Sequence, residues 1–287
     1  MTEVENEEIT NLVKKQKAAG YQVITDGEFR RSYWHLDFMW GFQGIKKIEL
    51  DHGYYFHGEE TTHGSIEVTG KITDKIYPDL NKLIEDIAKA YRTVIKDLYD
   101  AGCRNVQFDD CTWGMFCDPK YQEFVKSIGS SVEDEAERYL YLNNLAIEEK
   151  PEDLVITTHV CRGNYHSTWA SSGGYETVAP YLFAKENVSA FYLEFDDERS
   201  GGFEPLRFVP KDKKVVLGLV TSKSPVLEDK ELVISRIHQA EKYVPLENLY
   251  LSPQCGFASC EIGNKLTDEQ QWAKLQLIKE IAEKVWK

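Results

Sequence analysis

The sequence predicts an α/β fold, read as a (β/α)8 TIM barrel in which the first strand and one further strand are not evident; two observations support this. Amphipathic helices alternate with short, continuously apolar runs, the pattern of parallel strands covered by helices on both faces. Each run also ends in a polar or reactive cluster: Asp26-Gly27-Glu28, Asp109-Asp110-Cys111, His159-Val160-Cys161, Glu194-Phe195-Asp196, Thr221-Ser222-Lys223 and Gln254-Cys255-Gly256. An open doubly wound sheet concentrates its chemistry at one switch point, whereas a barrel delivers side chains from many strands to one end. No GxGxxG follows the first run, and no GxxxxGK precedes a Ser or Thr, so the common nucleotide-binding folds have no support.

Each element follows from local pattern. Residues 4–19 form an amphipathic helix that Gly20 stops, and the β-branched run YQVITDGEF reads as a strand. Residues 41–73 are rich in Gly, His and Tyr and read as a long excursion with one short strand, SIEVTGKIT; His52, His57 and His63 there read as solvated loop residues. From Pro78 the apolar positions Leu80, Leu83, Ile84, Ile87, Tyr91, Val94, Ile95 and Leu98 recur at steps of three and four, until Gly102 ends the helix before the strand NVQFDD. The same plan repeats with EDEAERYLYLNNLAIEEK before LVITTHVC, GYETVAPYLFAKE before AFYLEFDD, and ELVISRIHQAEKYV before LYLSPQCGF, while KKVVLGLVTSK is a strand reached through a loop. Thr267-Asp268-Glu269-Gln270 reads as a capping box that opens a last helix with Trp272, Leu275, Ile278, Ile281 and Val285 on one stripe.

Composition sets the outer limits. With 42% hydrophobic and 12% aromatic residues the 287-residue chain has the apolar surface for a sizeable core, and it reads as one domain over residues 1–287. Its 34 basic against 48 acidic side chains leave a net charge of −14 with no basic run, which argues against nucleic acid or an anionic membrane as partner. No apolar run approaches a membrane span and the N-terminal residues are acidic and polar, so a cytoplasmic location is expected. In a reducing compartment the six cysteines are then buried thiols, nucleophiles or metal ligands.

Alternate residues of a strand point the same way, so His159 and Cys161 can face one metal, and Glu194 and Cys255 arrive at neighbouring strand ends. Four residues of zinc-ligand type at one end of one barrel suit a tetrahedral Zn2+ site. Two thiolates and a carboxylate leave that site with one net negative charge, which favours an electron-rich bound thiolate over water activation, so a thiol substrate is expected. Glu28, Asp109 and Asp110 supply carboxylates beside it, suited to a substrate ammonium group; for Glu28 the competing reading is a tie to Arg30 or Arg31. Cys111, Cys117 and Cys260 lie close enough in sequence to be rival ligands, and Cys103 reads as buried filler.

The stretches TDGEFRRSYW, AYRTVIKDLYDAGCRNVQFDD, THVCRGNYHSTWASSGGYE, FYLEFDDERSG, LGLVTSK and LSPQCGF span nearly the whole chain. In combination they resemble the catalytic C-terminal domain of cobalamin-independent methionine synthase and, more closely, its short single-domain bacterial relatives. The resemblance implies zinc on His159, Cys161, Glu194 and Cys255, amino-acid contacts from Glu28 and Asp109, and methyl transfer to the sulfur of homocysteine from a methyl-tetrahydrofolate. This chain departs from the family pattern in three places. Lys223 stands where the family places a His that is a candidate acid for the donor nitrogen; a lysine donates a proton there only if burial lowers its pKa, so the methyl donor can differ, and Lys223 and Asp109 are the candidate catalytic residues. The family carries a strand ahead of the first helix, and its members run much further between VTGKI and YPDL, which only residues 73–76 join here. Two other readings stay open: a non-catalytic thiol or amino-acid binding protein with structural zinc, and a lyase of the uroporphyrinogen decarboxylase type.

Overall fold

The computed structural model describes residues 1–21, 23–42, 44–68 and 77–287. The elements run α1 (Thr2–Ala18), α2 (Leu36–Met39), β1 (Ile45–Glu49), β2 (Tyr55–Phe56), β3 (Glu59–Glu60), β4 (Gly64–Val68), α3 (Leu80–Asp100), β5 (Asn105–Asp109), α4 (Cys111–Phe116), α5 (Pro119–Ser127) and α6 (Val132–Ile147). They continue as β6 (Val155–Val160), α7 (Ala179–Lys185), β7 (Ala190–Glu194), β8 (Lys214–Val220), α8 (Lys230–Ala240), β9 (Leu249–Pro253) and α9 (Asp268–Val285). Helix ends are fixed by side chains where the sequence supplies a short polar residue. Asp79 accepts from the Asn81 N–H, Ser131 from Asp134, and Thr267 forms the expected reciprocal capping box with Gln270.

Strands β5 to β9 form one parallel sheet in sequence order. Its two faces differ in chemistry. Val106, Ile156, Phe191, Leu193, Val215, Leu217 and Leu249 belong to the main core, with Phe183 of α7, Ile237 of α8 and Ile281 of α9. The alternate positions Gln107, Asp109, Thr157, His159, Tyr192, Glu194 and Ser252 lie on the opposite face, because the side-chain period of a strand is two. A smaller cluster of Tyr33, Leu36, Tyr165 and Cys260, packed by Trp34, Trp40, Phe56 and Ile66, docks the N-terminal region on the loops that follow β6 and β9.

The α/β class stands, and the described residues form a five-stranded parallel sheet, not a closed eight-stranded barrel. The segment read as the first strand, residues 21–29, contains no strand among its described residues; Gly27 and Glu28 both adopt positive φ (72° and 58°) and residues 27–30 turn. A strand needs ladder partners for its N–H and C=O groups, and among the described residues the five strands of the sheet pair with one another and not with this segment. The excursion holds two small antiparallel ribbons, β1 with β4 and β2 with β3. The predicted SIEVTGKIT strand is met by β4 up to Val68, and its remaining positions, like the 73–76 join, lie outside the described residues. The first helix forms as α1 but buries no side chain.

Candidate metal centre

The ends of β6, β7 and β9 bring His159, Cys161, Glu194 and Cys255 together, with one ligand atom from each lying within 4.8 Å of all the others. The two thiol sulfurs are 4.0 Å apart, and His159 Nε2 stands 3.9 Å from Glu194 Oε1 and 3.9 Å from Asp109 Oδ1. That imidazole nitrogen is buried and has no hydrogen-bond partner, which suits an atom aimed at a ligand position. Without a metal the four groups shift one another's acidity. Burial alone would lower the His159 pKa, but the Cys255 thiolate, Asp109 and Glu194 carry it up to about 10. The Cys161 hydrogen bond and the His159 charge in turn hold Cys255 well below the usual thiol value. A histidine–thiolate ion pair here is what a bound divalent cation would replace.

The carboxylate is braced on both sides. Glu194 is fully buried; its Oε1 accepts the Arg162 backbone N–H at 3.0 Å and its Oε2 accepts Arg199 Nη2 at 3.1 Å. Arg199 also binds Asp196 (2.9 Å) and Asp197, and the Gly163 N–H donates to Cys161 Sγ at 3.3 Å. Burial raises the Glu194 carboxyl, and the nearby Lys223 charge opposes that. Such outer contacts fix the donor atoms of a site before a metal arrives.

The other residues singled out in the sequence divide clearly. Asp109 sits opposite His159 in the β5–β6 register, and burial pushes its carboxyl up to about 7 while His159 pulls it down. Asp110 turns the other way: its carboxylate caps Thr112 (3.1 Å) and accepts from Tyr139 (2.8 Å) and Asn143 (3.2 Å), away from the cluster. Glu28 makes the arginine tie, with Arg31 at 3.2 Å; burial raises its carboxyl, Arg31 opposes that, and the charges of Asp26 and Cys255 add to the rise. Lys223 is placed beside Glu194 and Cys255, and its Nζ is buried without a hydrogen-bond partner. Its loop is anchored through Glu228, which accepts the Thr221 N–H at 2.9 Å and is held by the fully buried Lys274 at 2.8 Å.

Of the rival cysteines, Cys117 donates to the Trp113 carbonyl (3.3 Å) and Cys260 packs in the smaller cluster; Cys103, expected as buried filler, is only half-buried and donates to the Asn105 carbonyl (3.0 Å). Cys111 opens helix α4 and lies outside the four-residue cluster. His57 stacks on Trp169 (4.6 Å) and His52 pairs with Glu60 (3.6 Å), as loop histidines do. The bracing by Arg199 was not anticipated; its only local signal is the acidic Asp196-Asp197 pair just before it. Among the described residues no helix is long and apolar enough to cross a membrane.

Fold and site together define an α/β protein with a His-Cys-Glu-Cys metal-ligating cluster at the C-terminal ends of parallel strands. The chain belongs to the family described as cobalamin-independent synthase, catalytic domain, whose model matches residues 61–284. It is 43% identical over 327 positions to the uncharacterised protein YxjH of Bacillus subtilis, covering 100% of this chain and 87% of the relative. Since this chain has 287 residues, at least forty positions of that relative, lying between matched residues, have no counterpart here. A solved structure from Listeria monocytogenes, provisionally named a vitamin-B12-independent methionine synthase, is similar over the whole chain and 88% of its own, with 35% identity and a TM-score of 0.73. A B12-independent methionine synthase from Shewanella, solved with selenomethionine, shares the fold at 20% identity and a TM-score of 0.69, covering 98% of this chain and 87% of its own.

Proposed function

We propose that this chain is a zinc-dependent methyltransferase, one domain over residues 1–287, that moves a methyl group to the thiol of homocysteine or a similar thiol. The product is methionine or the corresponding thioether, with a methyl-tetrahydrofolate as donor and the cytoplasm as the place of reaction. The observation that carries this is the four-ligand cluster: two sulfurs, one imidazole nitrogen and one carboxylate oxygen within 4.8 Å of one another fit a tetrahedral zinc in donor type and number. His159, Cys161, Glu194 and Cys255 would hold the zinc, which when bound supplies removal of the substrate thiol proton at neutral pH.

The chain's own groups do the rest. Arg199 and the Arg162 N–H keep Glu194 oriented without charge–charge strain. Glu28 and Asp109, both near Cys255, bind the substrate ammonium and so aim its sulfur at the cluster. As the sulfur–methyl bond forms, the bond from the methyl to the donor nitrogen breaks, and Lys223, whose Nζ has no hydrogen-bond partner among the described residues, delivers the proton that this nitrogen takes up. A lyase of the decarboxylase type has no use for the cluster.

Zinc content and X-ray absorption at the zinc edge, with and without homocysteine, test this. One zinc per chain that gains a sulfur neighbour is expected. Zinc indifferent to the thiol would favour a binding protein with structural zinc, and no zinc would sink the proposal.

A further inference from the structure

Lys274 is a charged residue on the inward face of α9, fully buried beside Leu277, Ile278 and Ile281. Its ammonium donates to both carboxylate oxygens of Glu228, at 2.8 and 3.0 Å, and to the Val226 carbonyl at 2.7 Å. Taking an ammonium out of water is costly, and an apolar pair of similar volume holds a core at least as well, so stability alone does not account for this ion pair. What it holds is a loop. Glu228 Oε1 accepts the Thr221 N–H at 2.9 Å, which closes residues 221–228 on themselves, and the Thr221 hydroxyl accepts the Lys223 N–H at 3.2 Å. One residue before Lys223 the loop is tied to its neighbours: Ser222 Oγ donates to Gln254 Oε1 at 3.0 Å, next to Cys255, and the Ser222 carbonyl accepts from Asn264 Nδ2 at 2.8 Å. Val226 and Leu227, at the far end of the loop, are exposed, so apolar packing there does not fix it.

We infer that Lys274 is a positioning residue, whose ion pair with Glu228 sets the 221–228 loop so that Lys223 stands at the four-ligand cluster. The three hydrogen bonds use all three donors of the ammonium and fix the direction of the Glu228 carboxylate, which a non-directional apolar contact would leave free. The effect then passes along hydrogen bonds from Glu228 to Thr221 and from Thr221 to the Lys223 backbone. A residue on the last helix thereby governs a group at the end of β8. This inference rests on the methyltransferase reading above for what Lys223 does, and not for how its loop is held.

The test compares the zinc-loaded full chain with Lys274→Met by zinc content, by steady-state methyl transfer from methyl-tetrahydrofolate to homocysteine, and by amide hydrogen exchange read by mass spectrometry. Expected are unchanged zinc, a kcat lower by about tenfold to a hundredfold with the KM for homocysteine within about twofold, and faster exchange confined to residues 221–228. A double-mutant cycle separates positioning from mere structure: in a Lys223→Met background, adding Lys274→Met should leave kcat where it is. An equal further loss in that background, or unchanged exchange over residues 221–228, would overturn the inference. Should Lys274→Met not fold, the double variant Lys274→Met, Glu228→Gln, which leaves no unpaired charge, takes its place. If Lys223→Met transfers at the full rate, or the parent chain transfers nothing, the function proposed above fails, and exchange over residues 221–228 decides by itself whether Lys274 sets the loop.

Discussion

The two faces of the five-stranded sheet carry opposite assignments from one alternating backbone. On the helix-covered face Phe191, Leu193, Val215 and Leu217 are dry and interlock with α7, α8 and α9. On the other, one residue along each strand, His159 and Glu194 converge with Cys161 and Cys255, and Asp109 stands beside His159. The first face makes the fold and the second spends part of that stability on gathering acidic and thiol groups, so substitutions on the two should separate stability from metal binding.

Phe191→Ala should have the largest effect on the fold. It removes a fully buried ring that packs on Phe183 at 5.3 Å, and a loss of ~3–5 kcal/mol in urea unfolding is expected. A loss below ~1 kcal/mol would mean that this face is not the core. Cys255→Ala should do the reverse, weakening zinc retention by more than ~100-fold in a chelator competition and ending methyl transfer, while the zinc-free chain melts as before. Retained transfer in that variant would remove zinc from the reaction.

A polar seam under the dry face gives a third, smaller effect. Buried Glu186 shares the Asn143 amide with Asp110 (3.0 and 3.2 Å), and burial raises its carboxyl to about 8, with the Asp110 charge adding to the rise and Lys213 opposing it. A folded-state value above the unfolded one means that the folded chain holds the proton more tightly. The stability linked to Glu186 is therefore complete below about pH 4.5 and is lost as pH rises toward 8. Glu186→Gln should flatten the decline of the urea midpoint between pH 5 and 8; an unchanged slope would assign it to another group. The mildest change is Glu28→Gln, expected to weaken homocysteine binding about tenfold by calorimetry, ~1.4 kcal/mol, with zinc still bound. Unaltered affinity would leave Glu28 only its Arg31 pair.

Much of the site was legible because it depends on local rules. The His159-x-Cys161 alternation put both donors on one face, and neighbouring strand ends brought Glu194 and Cys255 to them. The same alternation separates Asp109 from Asp110, which the sequence reading had grouped together as substrate contacts. Arg199 lies on the loop after β7, where no periodicity says which way a side chain turns.

By itself the sequence determined the α/β class, the five parallel strands with their helices, the capping of α9 and the four candidate ligands that cluster at the strand ends, because periodicity, caps and alternation act over a few residues. Only the tertiary structure decided that residues 21–29 make a turn instead of a strand, that Asp110 caps a helix, and that Glu194 is held by Arg199. Those outcomes depend on which neighbour a backbone or charged group finds in space, and that neighbour comes from a distant part of the chain or is missing altogether.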